Sequence, residues 1–231
     1  MTPFERAAAA LRAYERNARN AIEWADASWL AAALGTTTAV VQSLQVAWRN
    51  AQRIQMDLAS YALLSMNSVT APTVKSLIAG HAAMFDMLPV DQGLRMLRVR
   101  ALLFRGAQVR RVIDNASRRR LTDWVGVSLD LISQAATGAP DIAALPMAPL
   151  MTPLDEIDAQ TLAQEGYWLI VRDERDAARS IPCTLLRLAL PREANPPRWL
   201  NAKVSHLDKD GTQNLVNHIP AWLPEWKWLF G

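Results

Sequence analysis

Few side chains in this sequence are placed for covalent or metal chemistry. The one thiol, Cys183, follows Pro182 at the head of an apolar stretch, and His206 is its nearest imidazole in sequence. A thiolate nucleophile needs a base and an electropositive setting, whereas a buried cysteine acts as a small hydrophobe; the second reading is favoured. His81 falls on an apolar helical stripe and reads as a core imidazole. His206, Asp208 and Asp210 suggest a calcium loop, but with Gly211 in its sixth place the twelfth is Asn217, where a bidentate acid belongs. His206 and His218 are too far apart for one helical zinc face, and no cysteine pair supports them. Asp155, Glu156, Asp158 and Glu165 are expected as the solvated face of a short helix. The nine glycines are scattered singly, so there is neither a dinucleotide fingerprint, nor a phosphate loop, nor a nucleophile elbow. The expectation is a protein without catalytic residues, cofactor or metal.

Binding chemistry is better represented. From Arg95 to Arg120 there are nine arginines (Arg95, Arg98, Arg100, Arg105, Arg110, Arg111, Arg118, Arg119, Arg120) against one acid, Asp114, and no lysine. Arginine grips carboxylates with two parallel hydrogen bonds and packs its flat guanidinium on apolar surface, so the run suits a protein interface at least as well as a phosphate track. At 100° per residue Arg95, Arg98, Arg105 and Arg110 share one broad face, Leu94, Leu97, Ala101, Phe104 and Val112 make another, and Arg100 and Arg111 sit on a third. Two other uses compete. The section from Asp141 to Asp176 holds eight acids and two arginines, and the two sections could dock on each other within one molecule. Nucleic acid is the other candidate, but only Phe104 and Trp124 lie near the charges as stacking groups, and the net charge is only +3. The second anomaly is the aromatic end. Trp222, Trp226 and Trp228, with Phe230, either dock on their own domain or form an interface hot spot.

The elements that must carry these residues are mostly helices. With 231 residues, 51% of them hydrophobic and 20% charged, the chain can bury a sizeable core and is neither disordered nor fibrous. Three of the thirteen prolines precede residue 140 and ten follow it. A proline-poor first part, 1–139, is therefore expected as a bundle of about five helices, and a smaller proline-rich part, 140–231, as a second subdomain. Apolar spacing predicts helices from Phe4 to Trp29, from Val40 to Tyr61, from near Pro72 to Leu88, from Pro89 to about Ile113 and from Ser117 to Ala135. The segment from Pro140 to Pro153 is apolar and fits a packed strap as well as a linker. Thr152-Pro153-Leu154-Asp155 has the order of a helix start, leading to a short helix. Tyr167 to Val171 and Thr184 to Leu190 could pair as one β-hairpin with a long loop; neither alternates cleanly, so partial helicity is the alternative. The fold class is thus mainly α with a possible short hairpin. A lone cysteine, the charges Glu5 and Arg6 near the start, and the interruption of the most apolar stretch, Ala27 to Val41, by Ser28, Gly35 and Thr36 to Thr38 place the chain in the cytosol and outside the bilayer.

At the fourth helix the residues resemble a known family. Leu88-Pro89, then Gly93-Leu94-Arg95-Met96-Leu97-Arg98-Val99-Arg100-Ala101-Leu102-Leu103, then Val109-Arg110-Arg111-Val112-Ile113-Asp114 are similar to the SctK family of type III secretion proteins in its Hrp-type branch. Gly166-Tyr167-Trp168, Leu185-Leu186-Arg187-Leu188 and the ending Trp228-Leu229-Phe230-Gly231 resemble that branch too. The resemblance implies a non-enzymatic cytosolic adaptor of the sorting platform. Its implied partners are the cytoplasmic domain of an SctD-like inner-membrane ring protein and an SctQ-like pod protein carrying the ATPase complex. It transfers no binding residues. Arg95, Arg98, Arg100, Arg105, Arg110 and Arg111, with Trp222, Trp226 and Trp228, are the candidate contacts on physical grounds alone.

Overall fold

The computed structural model describes residues 2–48, 51–73, 82–136, 139–145, 147–174, 182–201 and 207–230. It is mainly helical, and among the described residues there is no strand. The chain forms two compact units, Met1–Gly93 with Cys183–Ala194, and Leu94–Pro182 with Asn195–Gly231. The division thus differs from one at 139/140, because the second unit begins inside the arginine helix and the first recovers a short piece from late in the chain.

In the first unit the stripe expected as one helix from Phe4 to Trp29 is three helices. α1 spans Pro3–Arg19, α2 Ala21–Trp24 and α3 Ala27–Leu34. Thr2 starts α1 with a capping box: its Oγ accepts from Glu5 N at 3.2 Å, and Glu5 Oε2 accepts from Thr2 N at 2.7 Å. Asp26 interrupts the run by capping α3, accepting from Ser28 N at 2.9 Å, and Gly35 ends it at φ +60°. The second expected helix is also divided, into α4 (Thr38–Trp48) and α5 (Arg53–Met66). Of the third, 74–81 with His81 lie outside the described residues, and Ala82–Met87 is a 3₁₀ turn. Ala10, Tyr14, Ile22, Leu30, Val41, Leu63 and Phe85 fill the core. Cys183–Ala194 belongs to the same unit. Leu188 O accepts from Asp26 N, and Leu190 O from the Trp29 indole, both at 2.8 Å. The strand expected over Thr184 to Leu190 is instead a turn with a 3₁₀ segment, Leu186–Ala189. Cys183, buried with φ +54°, opens it.

The second unit contains the rest of α6 (Val90–Phe104), α7 (Gly106–Arg111), α8 (Asn115–Val125) and α9 (Leu129–Ala135). The last two replace one expected helix, since Gly126 at φ +69° closes α8 and Ser128 caps α9. After the strap come α10 (Ala159–Glu174), α11 (Gly211–Trp222) and α12 (Lys227–Phe230). The other expected strand, Tyr167 to Val171, lies inside α10. Leu162, Ala163, Gly166, Tyr167, Leu169, Ile170 and Val171 are all buried, and a helix enclosed on most sides loses the polar face that gives a sequence its helical period. The strap packs. Ile142, Met147 and Met151 are buried in one cluster with Phe104, Leu169 and Trp199, where the Phe104 and Trp199 rings stack at 5.2 Å.

Candidate protein-binding surface

α6 emerges from its packing with arginines on all sides, and the second unit sorts them by depth. Arg100 and Arg105 have no solvent exposure at all. Arg105 makes a bidentate pair with Glu165 of α10, Nε to Oε2 at 2.8 Å and Nη2 to Oε1 at 2.7 Å, while Nη1 donates to Gln108 Oε1 and Thr152 O, each at 2.9 Å. Every guanidinium nitrogen is satisfied, which a buried cation requires. Arg100 lies one and a half turns earlier. Its Nη2 meets Asp173 Oδ2 and its Nη1 meets Asp208 Oδ2, both at 2.7 Å, and its Nε donates to Thr212 Oγ1 at 3.1 Å. Arg172 joins this cluster, donating to Asp173 Oδ1 at 2.7 Å with its guanidinium 5.8 Å from the Phe104 ring centre. Gly211 is small for a reason: a Cβ there would strike Asp208 Oδ2 and the Arg100 guanidinium.

The expectation that six arginines face a partner is therefore corrected at Arg100 and Arg105, whose charge is spent inside the unit. Arg98 is intermediate, donating to Ala159 O at 2.9 Å and Trp124 O at 3.0 Å. Burial, and then the Arg95 cation, draw its pKa below the ordinary arginine value. Arg95 and Arg110 are exposed. Arg111 is exposed too, in a surface pair with Asp141 at 2.8 Å. Arg118 pairs with Asp130 at 2.7 Å, and Arg120 covers the Trp124 ring at 5.2 Å while donating to Leu154 O. The docking of the arginine run on the acidic section, one of the alternatives posed by composition, is thus real for Arg100, Arg105 and Arg111. It leaves Arg95, Arg110 and Arg119 exposed, with no ion pair among the described residues. Beside Arg111 an open groove of about 330 Å³ runs between the turn Val112–Asp114 and Pro153–Asp155. Ile113, 88% exposed, stands on its edge.

The aromatic end mostly docks on its own unit. Leu229 and Phe230 are buried, and Trp222, Trp226 and Trp228 are half-buried. Trp222 stacks on His218 at 5.1 Å, and Trp226 and Trp228 lie 5.8 Å apart. His218 Nδ1 is 2.8 Å from Asn214 O, the bond that fixes its ring. Asp208 serves Arg100, while His206 lies outside the described residues. Among the described residues no group of three His, Cys, Asp or Glu could hold a metal ion.

The sequence reading passed over the chemistry of Asp86 in the first unit. Its Oδ1 accepts from Leu186 N at 2.7 Å and its Oδ2 from Leu185 N at 3.3 Å, which holds the late segment in place. Burial pushes its carboxyl up to about 7, against the opposing pull of those two amides. The same burial, with the nearby Asp86 charge, raises the Tyr14 phenol. The signal was present: Asp86 is the one charge between His81 and Val90. Glu165, expected on a solvated helix face, is buried on α10 as the partner of Arg105, and Asp173 on the same helix pairs with Arg100.

The class defined so far is a mainly α protein whose buried arginines pair with carboxylates of neighbouring segments in the second unit. The comparisons make this specific. The chain matches the family model of bacterial type III secretion protein (HrpB4) over residues 1–225, and it belongs to that family, the SctK family of these secretion systems. No curated protein and no solved structure matches it. Among the described residues no single helix is long and apolar enough to cross a membrane. α3 and α4 have the combined length and composition but are bent by 107°.

Proposed function

We propose that this chain is a non-enzymatic adaptor of the type III secretion sorting platform, joining the cytoplasmic domain of an SctD-like ring protein to an SctQ-like pod protein at the inner face of the membrane. The family match over residues 1–225 carries the reading. The second unit supports it in a specific way. Arg100 and Arg105 are neutralised within the unit, while Arg95, Arg110 and Arg111 remain exposed, Arg111 lining a groove edged by Ile113. A few exposed guanidinium groups around apolar surface suit carboxylates and backbone of a protein partner, because arginine with adjoining apolar contact dominates such interfaces. The half-buried Trp222, Trp226 and Trp228 are a second contact in this proposal.

The test is affinity purification of the tagged chain from the secreting bacterium at physiological salt. SctD-like and SctQ-like proteins are expected to co-elute. Their absence from a complex that forms around other platform components, or retention of the chain on generic duplex with steep loss between about 50 and 200 mM salt, would replace this reading with another.

A further inference from the structure

α5 carries two heptad-spaced stripes on opposite sides. Met56, Ser60 and Leu63 face inward and are buried, with Ser60 Oγ donating to Arg19 O at 2.9 Å and accepting from Ile22 N at 3.1 Å. On the other side Ile54, Leu58 and Tyr61 are 66%, 64% and 73% exposed, and Ala62, Ser65 and Met66 are exposed beside them. Steps of four and three along Ile54, Leu58, Tyr61 and Ser65 are the spacing of a coiled-coil seam. A helix with one buried face ordinarily turns charge toward water on the other. Here the only charged residues are Arg53 and Asp57, paired with each other at 2.9 Å near the start of the helix. The exposed side chains together present on the order of 500 Å² of apolar surface, the upper end of what monomers show.

We propose that this seam pairs antiparallel with the same seam of a second copy of the chain. About a point between Leu58 and Tyr61 the stripe is close to self-complementary. Reversed onto itself it sets Leu58 of one copy against Tyr61 of the other, with Ile54 against Ser65 on either side, and the two-fold axis repeats each contact. Antiparallel packing carries the Arg53–Asp57 pairs to opposite ends, so no charge lies on the seam. Two copies bury on the order of 1,000 Å², the lower bound for a specific interface, which gives a weak dimer. A membrane surface fits less well, since a helix lying on lipid carries basic residues along its polar edge, and α5 has only Arg53.

Analytical ultracentrifugation of the full chain across concentrations up to about 100 µM tests this, with a dissociation constant expected in the region of 10 µM. The mass should rise from 25.6 kDa toward twice that value. Leu58→Asp and Tyr61→Glu should each remain monomeric at the highest concentration with unchanged helical circular dichroism. Val46→Asp, an exposed site on α4, should associate like the parent. If either charged variant loses helicity, Leu58→Gln decides in its place. A parent chain that stays monomeric throughout overturns the proposal, including one that binds only a foreign helix. So does association that survives in the Leu58 and Tyr61 variants or disappears equally in Val46→Asp.

Discussion

A buried arginine is tolerable only while its partners stay. Glu165→Ala would leave Arg105 enclosed with neither carboxylate oxygen, and loss of one member of such a pair costs about 3–5 kcal/mol. Arg111→Ala removes a pair whose side chains are 58% and 48% exposed, and should change stability by no more than about 0.5 kcal/mol. Urea unfolding of the two variants, followed by tryptophan fluorescence, checks the contrast; equal effects would mean that the Arg105 pair is not enclosed in solution. Asp86 makes the opposite kind of contribution. Its folded-state pKa, about 7, stands above the ordinary 3.8, so between these values the folded chain holds a proton that the unfolded chain has lost. Stability from this group is therefore lowest above pH 7, rises as pH falls, and is complete near pH 4. Asp86→Asn is neutral throughout and should remove that trend. The difference in urea midpoint between parent and variant, measured from pH 8 to pH 5, isolates it from the other carboxylates.

At the scale of elements, close helix packing sets the tolerance of the second unit. A Cβ on Gly166 of α10 would overlap the backbone of Leu97 on α6, and backbone cannot rotate away as a side chain can. Gly166→Ala should therefore force the helices apart and cost about 3 kcal/mol or more. Gly35→Ala meets nothing within 4 Å but must hold φ near +60°, and should cost about 1 kcal/mol. Thermal melts of both variants measure the difference. The same packing explains which elements were legible. α1 and α6 carry polar residues opposite their buried ones and could be placed by period. The apolar stripe Val40, Leu44, Ile54, Leu58 and Tyr61 that marks α4 and α5 lies instead on their exposed side, with Val41, Met56 and Leu63 buried. The breaks between α2 and α3 and between α8 and α9 depend on single residues, Asp26 and Gly126, whose capping roles show only once the neighbouring backbone is in place. Tyr167 to Val171 reads as a strand because enclosure on most sides removes the period that marks a helix. Thr184 to Leu190 reads as a strand because a buried 3₁₀ turn is as apolar as a short buried strand.

For the whole molecule, proline content was a poor guide to division, because prolines report local backbone and not which segments share a core. Ile142, Met147 and Met151 from the proline strap pack with Phe104, and Leu185 and Leu186 are anchored by Asp86. Separate expression of 1–139 and 140–231 should accordingly yield no stably folded piece: the first loses Cys183–Ala194 from one unit, and both lose part of the other. Two sharp unfolding transitions from the separate pieces would contradict this. The arginine run was legible as a cationic feature, but its sorting into inner and outer residues was not, since Arg100 and Arg105 are indistinguishable from Arg95 and Arg110 until α10 and α11 pack beside them. That sorting sets the last expectation. Arg95→Glu and Arg110→Glu, both at exposed positions, should leave helical circular dichroism and the melting temperature within about 2 °C of the parent, as surface changes do. If the outer arginines grip the secretion partners, the same two substitutions together should lower their recovery at least about tenfold, since reversed charge repels the carboxylates it formerly held. Arg100→Glu and Arg105→Glu should instead abolish recovery through unfolding, visible as lost ellipticity. Undiminished recovery with the outer pair reversed would move the contact to the groove edge at Ile113 or to the tryptophans, where Ile113→Asp and Trp228→Ala give the next measurement.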